Sequence, residues 1–142
     1  IISNFIYFVN FGNLLIMKQK IFSKKAPLPI GPYSQAIIAN NMIYLSGQIA
    51  INPKTNLTVT DSIENETNMV LKNIQNILKK NHCSMNEIIK CTIFLSDMNL
   101  FEKVNKVYEK YFNTPYPARE TVQVSGLPKN VNVEISVIAM CK

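Results

Sequence analysis

The chain has one histidine, one arginine and three cysteines without a Cys-x-x-Cys spacing, and each scarcity closes off a class of chemistry. A structural zinc site would need ligands that the chain hardly has. A Ser-His-Asp triad would have to rest on His82, which follows a helical pattern and precedes Cys83. A histidine there reads as a surface residue at a helix end. Three cysteines (Cys83, Cys91, Cys141) are odd in number, which favours thiols in a reducing compartment over a disulfide framework. The uncharged apolar stretch 1–17 is shorter than the roughly 20 residues that span a membrane. Neither a basic n-region nor a small-residue cleavage site is visible in it. Two readings stay open for it: the apolar part of a leader, or a gene-model extension ahead of a start at Met17. Either way residues 1–17 are expected to stand apart from a domain at 18–142.

What is present describes one folded domain. The length of 142 residues and the 47% hydrophobic content suffice for a core. The net charge of +6 is carried almost wholly by lysine, with clusters at 18–25 and along 103–110. Such a balance permits weak binding to phosphate backbones. No RNP-like strand, KH loop or zinc knuckle accompanies it, and a solvated lysine-rich surface is the simpler account. Against this background Arg119 stands out. Where lysine serves elsewhere, a single arginine points to a need for its planar fork.

The pattern along the chain predicts an α+β fold. Three prolines and a glycine make 26–34 an extended loop. Gln35–Ala39 and Met42–Ile49, separated by Asn40-Asn41, read as a hairpin. Asp61 with Glu64 has capping-box spacing and opens a helix whose stripe is Ile63, Val70, Ile74, Ile77 and Leu78. Ser84 with Glu87 precedes a strand at Ile88–Leu95. A second helix is expected from about Asn99 to Phe112, its aromatics Phe101, Tyr108 and Tyr111 serving as core. Arg119–Val124 and Val131–Met140 alternate as strands, with Glu134 opposite Val133 and Ile135. The resulting order ββ-α-β-α-ββ gives a single mixed sheet with two helices on one face. The other face, expected to carry Thr121, Ile138 and Met140, would be covered by oligomerisation.

Two residues are candidates on chemical grounds. Arg119 follows the stiff segment Pro115-Tyr116-Pro117-Ala118, and a guanidinium held there suits bidentate capture of a carboxylate. Glu134 lies mid-strand, where an acid needs water, a partner charge or a functional cavity. A structural Arg119–Glu134 pair between neighbouring strands is the alternative.

Six segments stand out in order: Ile30-Gly31-Pro32-Tyr33-Ser34-Gln35-Ala36, Leu45-Ser46-Gly47-Gln48-Ile49, the run Phe101–Tyr108, Pro117-Ala118-Arg119, Leu127-Pro128-Lys129 and the ending Val133–Ala139. Together they resemble the RidA/YjgF family, also called the endoribonuclease L-PSP family. The resemblance covers about residues 20–142. It implies a chorismate-mutase-like fold, a homotrimer with clefts between subunits, and hydrolysis of 2-imino acids to 2-keto acids and ammonia. Arg119 matches the arginine that grips the substrate carboxylate, and Glu134 the acid that handles the attacking water. Tyr33 matches the ring over the substrate; Ser46, Gly47 and Asn105 match pocket positions. Loop packing and helix contacts would explain Tyr33, Ser46 and Asn105 as well. The implied partner is a small anionic imino acid, with no metal or organic cofactor and no membrane; a cytoplasmic location follows unless 1–17 is an organellar leader.

One departure stands out. Glu120-Thr121 follows Pro-Ala-Arg where the family commonly has Ser-Cys, so a thiol role is excluded there and Thr121 keeps only a backbone contact. Glu120 should point away from the Arg119 face. Two other functions remain: a single-strand endoribonuclease, for which no histidine pair or acidic cluster is available, and a non-enzymatic ligand-binding or chaperone-like trimer.

Overall fold

The computed structural model describes residues 7–11 and 14–140, with side chains described from Met17 onward. Seven strands form one sheet: β1 (Tyr7–Phe11), β2 (Leu14–Ile21), β3 (Ala36–Ala39), β4 (Met42–Gln48), β5 (Ile88–Leu95), β6 (Ala118–Gln123) and β7 (Val133–Met140). Their spatial order is β1-β2-β3-β4-β7-β5-β6, and only β5 and β6 run parallel. That parallel pair is joined through helix α2 (Phe101–Tyr108), as a parallel connection requires. Helix α1 (Ile63–Lys79) lies between β4 and β5 in the chain.

The hairpin forms where the sequence places it. Asn40 and Asn41 both take positive φ (49° and 60°), the geometry of a two-residue turn that asparagine tolerates. The helix stripe Ile63, Val70, Ile74, Ile77 and Leu78 is buried throughout, against Val133, Ile135, Val137 and Ala139 in one core. The cap differs by one residue from expectation. Ser62, not Asp61, caps α1 by accepting from Asn65 N, while Asp61 accepts from the Asn65 side chain. The second helix is shorter than its pattern suggests, since 3₁₀ turns at Met98–Leu100 and Glu109–Tyr111 flank α2.

Two departures concern the sheet. Its first two strands were not foreseen. The boundary expected at residue 17 falls inside β2, whose Lys18–Ile21 pair with Ala36–Ala39; residues 1–6 and 12–13 lie outside the described residues. Thr121 is also misplaced by the expectation of an uncovered face. It pairs with Ile93, which is fully buried, so it lies on the helix side of the sheet. The opposite side carries exposed Tyr44, Val122 and Met140 and has no helix over it among the described residues. No helix among them is long and apolar enough to cross a membrane.

Candidate active site

Register decides where the two candidate charges point. Arg119 is opposite Cys91, and Cys91 is opposite the buried Val137, so Arg119 projects toward the helices. Glu134 is opposite Phe94, whose side chain lies on the other face. Strand β5 stands between β6 and β7. Two strand spacings across and three residues along put their Cα atoms about 14 Å apart, on opposite faces. A structural Arg119–Glu134 pair is therefore excluded within one chain.

Arg119 is half-buried and braced by α2. Its Nη1 donates to Asn105 Oδ1 at 2.8 Å. The guanidinium carbon lies 4.8 Å from the Tyr108 ring centroid and 5.7 Å from that of Phe101. The helix aromatics expected to be only core thus flank the cation as well, a geometry worth about 0.5–2 kcal/mol. Among the described residues Arg119 forms no ion pair, although the acidic Glu109 lies along the cavity beside it. That cavity, of about 520 Å³, is lined by Asn105, Tyr108, Glu109, Tyr116, Pro117 and Arg119. Glu120 does point away, accepting from Lys90 and from Thr92 Oγ1. Thr121 lines neither cavity described here, and its hydroxyl is buried without a hydrogen-bond partner. Nearby Cys91 is poorly suited to act as a nucleophile, being fully buried with its thiol pushed up to about 11 by that burial despite the opposing pull of Tyr108 and Arg119.

Glu134 occupies a second cavity, of about 280 Å³, together with Tyr33, Ser46, Gly47 and apolar residues that include Leu28, Ile30 and Ile51. Its side chain lies directly over Gly47. A Cβ added at that glycine would fall 1.8 Å from Glu134 Oε1, so only a bare α-carbon admits the acid. The β4–β7 register is irregular between Leu45 and Gln48, which places Gly47 where the acid crosses it. Desolvation raises the Glu134 carboxyl above the ordinary glutamate range, and no hydrogen bond to another described residue offsets it. The Ser46 hydroxyl donates to Ser34 O at 2.7 Å, and the Tyr33 hydroxyl accepts from Ile30 N at 3.3 Å. Both therefore shape the loop that walls the cavity.

Sequence reading missed Gln35 and Glu66 as organisers. Gln35 is 2% exposed, and its amide bonds Ser23 N and O at 2.7 and 3.1 Å and Pro27 O at 2.7 Å, fixing the Pro27–Leu28 wall. A glutamine beside a proline-rich loop offers no sequence pattern that announces this clamp.

A mixed sheet with two helices on one face, an unpaired arginine on one side of it and a desolvated acid on the other define the class. The chain belongs to the RidA/YjgF family: the family model described as "Endoribonuclease L-PSP" matches residues 23–141. It is 51% identical over 123 residues to a RutC family protein of Pyrococcus horikoshii, covering 87% of this chain and 98% of that one. It is 45% identical to Reactive Intermediate Deaminase A, chloroplastic, of Arabidopsis thaliana (87% and 66% covered). Identity to the human 2-iminobutanoate/2-iminopropanoate deaminase is 39% (88% and 91% covered). A crystal structure of a conserved Rid-family protein from Yersinia pestis superposes with a TM-score of 0.84 at 48% identity, covering 87% of this chain and 98% of that one.

Proposed function

We propose that this protein is a cofactor-independent enamine/imine deaminase whose site is completed between copies of the chain in a homotrimer. One observation carries the reading: two unneutralised charges, each beside its own cavity, lie on opposite faces of one sheet. A single copy cannot bring both to one small substrate, whereas a neighbouring copy can. The exposed apolar residues on the Glu134 face, Tyr44, Val122 and Met140, supply a surface for such closure. The substrates are 2-aminoacrylate, 2-iminopropanoate and 2-iminobutanoate, in line with the names of the deaminase relatives.

The chemistry follows from the parts. Arg119 holds the substrate carboxylate with paired N–H bonds. The iminium carbon is then fixed beside the Glu134 carboxylate, which takes a proton from water as the oxygen bonds to carbon. The resulting carbinolamine regains that proton on nitrogen and expels ammonia. The hydroxyl proton passes to solvent as the keto group forms. A carboxyl whose pKa is raised by desolvation is a stronger base when ionised and a better-matched acid on return. RNA cleavage is less well served, because His82 lies exposed at the end of α1 and lines neither cavity.

The test combines two inactive variants. Arg119→Ala and Glu134→Gln are each assayed for keto-acid and ammonia release from enzymatically generated 2-iminobutanoate, then unfolded together and refolded. If each cleft takes Arg119 from one copy and Glu134 from the next, equal mixing restores about one quarter of parent turnover. No recovery from a mixture shown to be co-assembled would refute the shared site. A stable monomer in light scattering would refute it more simply.

A further inference from the structure

Helix α1 carries a carboxylate that takes no part in the chemistry above. Glu66 is 0% exposed, and no cation bonds it among the described residues. Its Oε1 accepts from the backbone N–H groups of Asn132 and Val133, at 2.5 and 3.2 Å, and its Oε2 accepts from Asn132 Nδ2 at 2.9 Å. The residue after Val133 is Glu134. Just ahead lies the turn Pro128–Asn130, where Lys129 and Asn130 both hold positive φ (56° and 54°). Asparagine tolerates that conformation but lysine rarely adopts it, so the backbone at Lys129 calls for an outside fixture. Pro128, at the start of the same turn, forms part of the Glu134 cavity wall.

We infer that Glu66 is a positioning residue for Glu134, setting the entry of β7 through two backbone amides; the assignment rests on the deaminase reading. Two N–H donors on one oxygen fix both the height and the rotation of the chain at Asn132–Val133. That determines where the next side chain crosses Gly47. A displacement of about 1 Å in a base that must meet a water is enough to lower turnover steeply while leaving carboxylate capture alone.

The variants distinguish positioning from mere folding. Glu66→Gln keeps the oxygen that both amides use. Its NH₂ group meets Asn132, whose amide can turn over because its other partner, the Ser96 hydroxyl, donates or accepts equally well. Glu66→Asp retracts the carboxylate by one methylene, and Glu66→Ala removes it. The expected order of kcat for 2-iminobutanoate is parent ≈ Gln > Asp > Ala, with a loss of about 10- to 100-fold at the end of the series. KM should stay within about twofold, since Arg119 is untouched. Circular dichroism and light scattering check that each variant folds and assembles; if Ala does not, Asp carries the decision. An assembled Asp variant with parent kcat overturns the assignment, as does a Gln variant as poor as Asp. A parent without turnover overturns the deaminase reading and this assignment with it.

Discussion

Arg119 and Glu134 stand on the two strands that flank β5, yet their surroundings are opposite in kind. Around Arg119 the fold supplies what a cation wants: an amide oxygen from Asn105 and the faces of two rings. Around Glu134 it withholds what an anion wants, leaving a carboxyl against a bare glycine in a largely apolar cavity. A group that only binds is best kept in one charge state, and arginine braced on aromatics stays charged. A group that must give and take a proton is best left close to exchange, and desolvation moves it there. On the proposed deaminase reading, the contrast separates holding from proton transfer, and each half can be broken on its own.

The largest effect is expected at Gly47. Gly47→Ala puts a methyl group where Glu134 Oε1 now lies, so the acid must leave its place over β4. Turnover should then fall by most of what a general base contributes, about 10²–10⁴-fold. Binding of a carboxylate analogue, measured by calorimetry, should survive. Parent turnover in Gly47→Ala would show that Glu134 works from elsewhere. The pH profile sharpens the same point. The base must be ionised, so kcat/KM should fall as pH drops through the Glu134 pKa, and that limb should lie above the ordinary value of about 4.3. Linkage has the matching sign. A carboxyl raised in the folded state stabilises it most at low pH, and that stability is lost as pH rises through the folded pKa. An acid limb in the usual carboxylate range would contradict the desolvated base.

The binding half is tested by Arg119→Lys. Lysine keeps the charge but offers one point donor on a flexible stem, not two parallel N–H groups beside Asn105. A lost charge-assisted bond at a desolvated site costs on the order of 2–4 kcal/mol, roughly 30- to 1000-fold in kcat/KM. The loss should nearly match that of Arg119→Ala. Close to parent kcat/KM for 2-iminobutanoate would reduce Arg119 to a structural charge.

Much of this contrast was legible in the residues. Alternation along 133–139 put Glu134 opposite the buried Val133 and Ile135, and the proline-bounded start of β6 singled out Arg119. What alternation could not supply is strand order. Without knowing that β5 comes between them, Arg119 and Glu134 could be imagined as a neighbouring pair. Thr121 shows the same limit, since its face depends on pairing with Ile93 and not on its own segment. Strand β1 and the first half of β2 are hidden in the sequence because an uncharged apolar start resembles a leader, and only the pairing of β2 with β1 and β3 makes it sheet. Glu66 was invisible for another reason: its partners are backbone amides 66 and 67 positions away, and amides leave no mark in a sequence.

The smallest expected effect lies beneath the guanidinium, where ring and hydroxyl of Tyr108 can be separated. The ring lies 4.8 Å from the Arg119 guanidinium carbon and stacks on Phe112 at 4.3 Å between centroids. Its hydroxyl is buried with the Cys91 thiol as its one polar neighbour, and burial raises its pKa well above the tyrosine norm. Tyr108→Phe keeps the face that meets the cation and removes an oxygen whose only polar neighbour is a weak thiol partner. A buried polar group so poorly satisfied is unfavourable, so this variant should melt no lower than the parent and keep its kcat/KM within about twofold. Tyr108→Leu removes the face itself. The cation–π contribution of about 0.5–2 kcal/mol then disappears, and kcat/KM should fall roughly 2- to 30-fold, through KM more than kcat. Equal losses in Phe and Leu would assign the effect to the hydroxyl, placing proton handling on the Arg119 side and undoing the division of labour between the two halves.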